Sequence, residues 1–379
     1  MLELDCVTRK FDNIVAVNQL NLQIQEQEFL VIFGPAGAGK STTLRLIAGI
    51  LQPTHGEIRL RGRSLNGIPP EQRNMSMVFE NYALYSHMTV SENLAFPLRA
   101  RGLPEAEIKK RIGRMSEILQ ITDLLERRPG FLSGGQRQRV ALGRAMIREA
   151  DVYLLDEPIS HLDAKLRHLM RGEIKAMCSE RATTVIYVTH DYKEAMSLSD
   201  RMVVLNKGKA MQIDTPDHVY HQPANEFVAG FLGDPSMSFL DAKLIQENGN
   251  HFIKSGSLKS PASEELAQKI ASRSANGAVR IGTRASELSI SPVQSDEYAT
   301  LAEVYVVETL GYRNIITCKC KDAGLVQSVA SPDLKIKMGD TAWLNLSVRN
   351  IHLFDPQGDA ISHPVLHQNG NHGGTNGLH

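Results

Sequence analysis

The sequence predicts an α/β protein built on a mainly parallel sheet, followed by a smaller all-β domain. Three observations carry that expectation. The runs "FLVIFG" (29–34), "VYLLDE" (152–157) and "TTVIYVTHD" (183–191) are short and apolar, as suits strands buried on both faces. Helical periodicity lies between such runs, and strands that alternate with helices imply parallel pairing. After residue 235 that periodicity survives only near 260–273, and β-like runs such as "AVRIGT", "ATLAEVYVVETL", "NIITCKC" and "AWLNLSV" take over, set apart by turn residues.

The 379 residues suffice for two or three domains. Lys plus Arg equals Asp plus Glu at 42 each, so bulk charge points to neither nucleic acid nor an anionic membrane surface. The four cysteines, Cys6, Cys178, Cys318 and Cys320, match no paired zinc spacing, and so few thiols in a long chain fit a reducing compartment. Cys318 and Cys320 alternate with polar residues, as one face of a strand does. The start "MLELDCVTRK" lacks the apolar core of a signal peptide. No apolar run approaches the roughly 20 residues that span a bilayer, so a membrane role is expected to come through a partner.

The first strand-to-helix junction is the most informative. "GPAGAGKST", 34–42, fits G-x-x-x-x-G-K-[ST], with a strand-like run before it and the helical "KSTTLRLIAG" after it. Gly34, Gly37 and Gly39, with Pro35, Ala36 and Ala38 between them, let the loop curl so that N–H groups face inward onto phosphate oxygens. A helix beginning near Lys40 adds the positive end of its dipole. Lys40 is placed to reach the β- and γ-phosphates, and the Ser41 hydroxyl to ligate Mg²⁺, with Thr42 closing the motif.

Residues 81–150 are mostly helical and interrupt the alternation, which suggests a separate helical lobe. Within them, "LSGGQRQRV" (132–140) places Gln136 three residues after Ser133, the pattern of a capping box. Gly134 and Gly135 stand between them, although each glycine in a helical turn costs about 1 kcal/mol against alanine. Two glycines at the positive end of a helix suit the close approach of an anion.

"VYLLDEP" is an apolar strand ending in Asp156, which puts a carboxylate at the sheet edge beside the phosphate loop, where it would hold Mg²⁺. Glu157 follows and is suited to polarise a water for attack on the γ-phosphate. "VIYVTHD" brings His190 to the same edge as a γ-phosphate contact. After Asp163, apolar residues at Leu166, Leu169, Met170, Ile174 and Met177 mark one helical face. The run 202–213 reads as a late hairpin turning at 206–208, and the Gly-, Asn- and His-rich final stretch as a disordered tail.

In order, "GPAGAGKST", "LSGGQRQRV", "VYLLDEP", "SHLD" and "VTHD" resemble the ATP-binding cassette (ABC) ATPases that drive membrane transporters. "FLGDPSMSFLDAKL" followed by a β-rich region resembles the importer type that serves sugars and related solutes. The resemblance implies a phosphate-loop ABC ATPase core over 1–235 with its helical subdomain at about 81–150. It also implies an oligonucleotide/oligosaccharide-binding-type regulatory domain over 236–358, with 359–379 left as the tail. In that family two cassettes meet head to tail around two ATP molecules. Ser133, Gly135 and Gln136 would then bind the partner's nucleotide, Phe11 would stack on adenine, and Asp163 would sit at the dimer seam. The implied partners are a second ATPase subunit (a copy or a paralogue), two transmembrane permease subunits and, indirectly, an external solute-binding protein. The implied place is peripheral, on the cytoplasmic face of the inner membrane, and the region after "MVFENYALY" would face the coupling helix of a permease.

Two positions depart from the family pattern. His161 stands where asparagine is more usual. Glu80 stands where the family has glutamine, and two readings of it are open: a direct Mg²⁺ ligand, or an acid turned to solvent. DNA-repair and chromosome ATPases share the phosphate loop and signature but separate them by a long coiled coil. No sustained heptads occur here, and neutral charge argues against a DNA clamp. A nucleic-acid-binding role for the C-terminal domain would need more basic residues among aromatics than "AWLNLSVRNIHLF" offers.

Overall fold

The computed structural model describes residues 1–180, 182–294, 297–347 and 350–364. The chain divides into two compact units, Met1–Asp217 and His218–His379. Strands of the first unit are β1 (Leu2–Phe11), β2 (Ile14–Ile24), β3 (Phe29–Phe33), β4 (His55–Leu60), β5 (Arg63–Ser64), β6 (Met75–Val78), β7 (Val152–Asp156), β8 (Thr184–Thr189), β9 (Arg201–Asn206) and β10 (Lys209–Asp214). Its helices are α1 (Lys40–Ala48), α2 (Val90–Arg99), α3 (Glu105–Ile118), α4 (Gly134–Met146), α5 (Ala164–Glu180) and α6 (Tyr192–Leu198).

The expected parallel sheet has the order β10-β9-β3-β8-β7-β6. All its neighbours pair in parallel except the β9–β10 hairpin, whose turn residues Lys207 and Gly208 have φ of 46° and 78°. Positive φ at both central positions gives the twist that a two-residue hairpin needs. Register decides what lies at the sheet's carboxyl edge: Phe33 pairs with Thr189, and Asp156 with Val188. The residues just beyond β3, β7 and β8 therefore converge.

A second sheet, β2-β1-β4-β5, is antiparallel and has no counterpart in the sequence reading. Its Leu2, Leu4 and Leu20 share a core with Leu30 and Ile32 of β3, Val188 of β8, and Leu44, Leu46 and Ile47 of α1. Those three α1 residues are fully buried, each contributing roughly 2 kcal/mol. The buried Arg73 donates to Leu46 O (3.1 Å) and Ile47 O (2.8 Å), closing the last turn of α1 with positive charge. The helical stretch is inserted between β6 and β7 and consists of α2, α3 and α4 with two short 3₁₀ turns. On α5, Met170, Ile174 and Met177 are buried as the periodicity predicts, but Leu169 is 39% exposed and lies off that face.

The second unit is strand-rich, as expected. Its strands are β11 (Ser238–Glu247), β12 (Asn250–Ser255), β13 (Leu258–Ala262), β14 (Ala278–Thr283), β15 (Ser289–Ser291), β16 (Thr300–Thr309), β17 (Asn314–Cys320), β18 (Gly324–Ala330), β19 (Thr341–Asn345), β20 (His352–Phe354) and β21 (Ala360–Ser362). They form two antiparallel sheets, β13-β12-β11-β14-β20-β21 and β15-β19-β16-β17-β18, over one shared core. Cys318 and Cys320 point into that core as free thiols, and burial pushes them up to about 11 and about 12.

Residues 218–235 group with the β-rich unit, where the sequence reading had put them with the first. Their hydrogen bonds explain the difference. Arg284 donates to Tyr220 O and Leu232 O, Glu226 N to Gly358 O, and Ala360 N to Ala224 O. The tail expected from 359 does not begin there, because β21 pairs with β20; residues 365–379 lie outside the described residues. Among the described residues no helix is long and apolar enough to cross a membrane.

Candidate nucleotide site

β3 is buried throughout and delivers the chain at Phe33 into the loop 34–39. A side chain on Gly34 would meet Leu205 O at 2.3 Å, and one on Gly39, where φ is 101°, would meet Ala16 O at 2.3 Å. Both glycines are required by neighbouring backbone. Ala36 and Gly37 form the exposed tip, while Pro35 is half-buried and Ala38 buried. α1 starts at Lys40 with Gly39 as an N-cap that offers no side-chain acceptor, and its first turn holds no acid. The first N–H groups of a helix have no partner within it, so this end suits an anion.

Lys40 is only 7% exposed and donates to Gly34 O (2.9 Å) and Pro35 O (3.0 Å). Burial lowers its pKa from the ordinary value, opposed by the negative charges of Glu157, Asp156 and Glu80. Lys40 and these three acids therefore share one field. The Ser41 hydroxyl donates to Asp156 Oδ1 at 2.9 Å, and Thr42 is half-buried beside it in the helix. Asp156 is 1% exposed, and its Oδ2 has no hydrogen-bond partner. Burial pushes Asp156 up to about 6; Ser41 and Arg45 oppose the shift, while Glu80 and Glu157 reinforce it. A buried carboxylate with an unpaired oxygen beside a hydroxyl is the donor set that a hard cation takes. Among the described residues no group of three His, Cys, Asp or Glu could hold a metal. A cation here would share Ser41 and Asp156 with phosphate oxygens.

Glu157 is held in the left-handed region, φ 47°, which costs a non-glycine residue roughly 1–2 kcal/mol. Its N–H donates to Val188 O at 3.0 Å, and its Oε1 lies 2.9 Å from His190 Nδ1. The pair stands at the carboxyl edge of β7 and β8, as the strand pattern anticipated. Beneath it, Glu194 is buried on α6 and accepts from Tyr187 Oη (2.9 Å) and Thr189 Oγ1 (2.7 Å), bracing the end of β8. Glu80 is exposed, yet its charge acts on both Lys40 and Asp156. It faces the site and solvent at once.

The signature residues assemble elsewhere. Ser133 is the N-cap of α4: its Oγ accepts from Gln136 N at 3.3 Å, and Gln136 Oε1 accepts from Ser133 N at 2.8 Å. A Cβ on Gly134 would have open space, reaching Tyr82 Oη only at 4.0 Å, whereas one on Gly135 would press on Leu162 Cδ2 at 3.2 Å. Gly135 thus lies close against the end of the Leu162 side chain. Asp163 is exposed and accepts from Leu166 N at 2.9 Å, capping α5. Phe11 is 39% exposed at the end of β1, with the Arg9 guanidinium 4.5 Å from its ring centre. His161 is exposed beside Ser160, with its Nδ1 3.1 Å from Ser160 Oγ.

Three residues escaped the sequence reading: Glu194, Gln138 and Arg167. Gln138 is 1% exposed on α4 and reaches the loop after Glu157; Arg167 donates to Ser160 O (3.2 Å) and Leu162 O (3.0 Å) in that same loop. The available signal for Gln138 was a glutamine on the helix face that also holds Ala141, Leu142 and Ala145.

Residues 17–160 match the family model described as ABC transporter. The chain is 41% identical to the xylose/arabinose import ATP-binding protein of Haloferax volcanii, over 97% of this chain and 97% of that protein. The chain belongs to the ABC transporter ATP-binding proteins. It is also 42% identical to an sn-glycerol-3-phosphate import ATP-binding protein of Rhizobium johnstonii, over 96% of this chain and 97% of that one. Among solved structures it resembles a dimeric ATP-binding cassette in a post-hydrolysis state with ADP and phosphate. The TM-score is 0.54 and the identity 30%, covering 57% of this chain and 99% of that one. The ABC assignment makes this chain an ATP-binding ATPase and sets aside the DNA-repair alternative.

Proposed function

We propose that this ABC ATPase is the energy-coupling subunit of an importer for a sugar, a polyol or a related small solute such as a polyol phosphate. It works as half of a head-to-tail dimer, with a copy or a paralogue, bound peripherally to two permease subunits at the cytoplasmic face of the membrane. Support comes from the importer names of its relatives and the dimeric cassette it resembles. The observation that carries the catalytic reading is the convergence of the Lys40 loop, the buried Asp156 and the Glu157–His190 pair at one sheet edge.

On that reading, the loop N–H groups and Lys40 bind the triphosphate, and Lys40 exchanges its bonds to Gly34 O and Pro35 O for phosphate oxygens. Ser41 and Asp156 would hold Mg²⁺, with Glu80 in reach of its field, and the ion supplies charge against the phosphates. Glu157 orients the attacking water and takes its proton, and His190 holds the Glu157 carboxylate and contacts the γ-phosphate. Phe11 receives the adenine; Ser133, Gly135 and Gln136 contact the partner's γ-phosphate, with Asp163 at the seam. ATP closes the dimer because only the γ-phosphate bridges the two halves, so ADP releases it.

Glu157→Gln tests this reading. Hydrolysis is expected to fall by about 100-fold or more, while ATP still binds and light scattering shows a trapped dimer. A variant that stays monomeric with ATP and Mg²⁺ overturns the closure model.

A further inference from the structure

The loop that follows β7 carries Glu157 in a conformation its own residue type disfavours, φ 47°. Such a conformation persists where the surroundings over-determine it. On one side Glu157 N–H donates to Val188 O. On the other, Glu157 O accepts from Gln138 Nε2 at 2.9 Å and from Ser160 Oγ at 3.1 Å. Gln138 Nε2 also lies 3.3 Å from Ser160 Oγ, and Gln138 Oε1 accepts from His161 N at 3.0 Å. One buried amide thus uses both ends on the backbone of a single loop. The close approach of Gly135 to Leu162 lets α4 lie against that loop.

We propose that Gln138 is a positioning residue for hydrolysis. It ties α4 to the backbone of Glu157 and thereby sets where the Glu157 carboxylate points. The consequence is mechanical. Any displacement of α4, whose first turn carries Ser133 and Gly135, moves the carbonyl of Glu157, so placement of the signature helix and arming of the carboxylate are one event. The proposal rests on the reading of Glu157 as the hydrolytic carboxylate.

Two variants of the full chain test it. Gln138→Met keeps the length and removes both polar atoms. Turnover at saturating ATP and Mg²⁺ is expected to fall about 10- to 100-fold, with ATP affinity within about twofold of the parent. In a Glu157→Gln background the same change is expected to add no further loss, since it acts through that carboxylate. Gln138→Glu keeps the acceptor for His161 N and loses the donor to Glu157 O. Its turnover relative to the parent is expected to rise as pH falls, because a protonated carboxyl regains an O–H donor; this profile decides the matter if the methionine variant does not fold. Parental turnover in Gln138→Met beside an inactive Glu157→Gln overturns the proposal alone. Parental turnover in Glu157→Gln overturns the reading beneath it and the proposal with it.

Discussion

Two helix N-termini in the first unit carry glycines and face an anion in the proposed mechanism, yet they are finished differently. α1 begins behind Gly39 with no side-chain cap, and the positively charged Lys40 is folded onto the loop's own carbonyls. α4 begins behind Ser133 with a complete capping box that satisfies two backbone donors, Ser133 N and Gln136 N. The first end gathers a buried lysine and a buried Asp156 whose Oδ2 has no hydrogen-bond partner. At the second, the Ser133 hydroxyl and the Gln136 amide already hold each other's backbone N–H, and a phosphate that takes either side chain must compete with those bonds. In the proposed mechanism the first end is the primary site and the second a conditional one, which would bind when a partner brings the nucleotide to it.

The largest expected effect belongs to the first end. Lys40→Met should lower kcat/KM for ATP by about 100-fold or more, since a charge-assisted contact to a triphosphate in a water-poor cradle is lost. Isothermal titration with ATP should show the affinity itself collapse. Parental ATP affinity in this variant would erase the distinction between the two ends.

Asp156 gives the next effect, with opposite signs for stability and activity. Its folded pKa of about 6 stands above the ordinary 3.8. Its contribution to stability is therefore full below pH 4 and is lost as pH rises through 6, by about 3 kcal/mol at about 1.4 kcal/mol per unit. In metal-free buffer at pH 7.5, Asp156→Asn is expected to be more stable than the parent by about 2 kcal/mol, an advantage that fades on acidification to pH 4, while ATPase activity is lost. Urea melts at both pH values check the sign.

Ser133→Ala sharpens the comparison from the other side. Loss of the cap should cost about 1 kcal/mol of stability, leave ATP affinity of the monomer unchanged, and reduce turnover about tenfold. An equal loss of monomer affinity would place Ser133 in the primary site. Glu80→Gln is the smallest change. Removing a negative charge that acts on Lys40 and Asp156 should shift the Mg²⁺ concentration for half-maximal turnover by a few-fold, read in a magnesium titration.

The candidate residues that the structure brings together at the sheet edge were legible because their motifs are local. The phosphate loop needs consecutive residues, a capping box needs positions i and i+3, and carboxylates at strand ends follow from short apolar runs. Glu194, Gln138 and Arg167 were not legible, because each acts on residues brought near only by folding. Gln138 reads in sequence as one more polar residue of a helix; its partners lie beyond the whole of β7.

The same division holds for the architecture. By itself the sequence determined that β3, β7 and β8 become buried strands, where α1 and α4 start, and which side chains are candidates for phosphate chemistry. Each of those depends on a residue's own propensity or its near neighbours. Only the tertiary structure decided that β1, β2, β4 and β5 form a separate antiparallel sheet, and that the units divide at 217. It alone set the left-handed turn of Glu157 beneath the amide of Gln138. Such outcomes depend on hydrogen bonds between distant segments, whose donors and acceptors are the same backbone groups in every residue and leave no local mark.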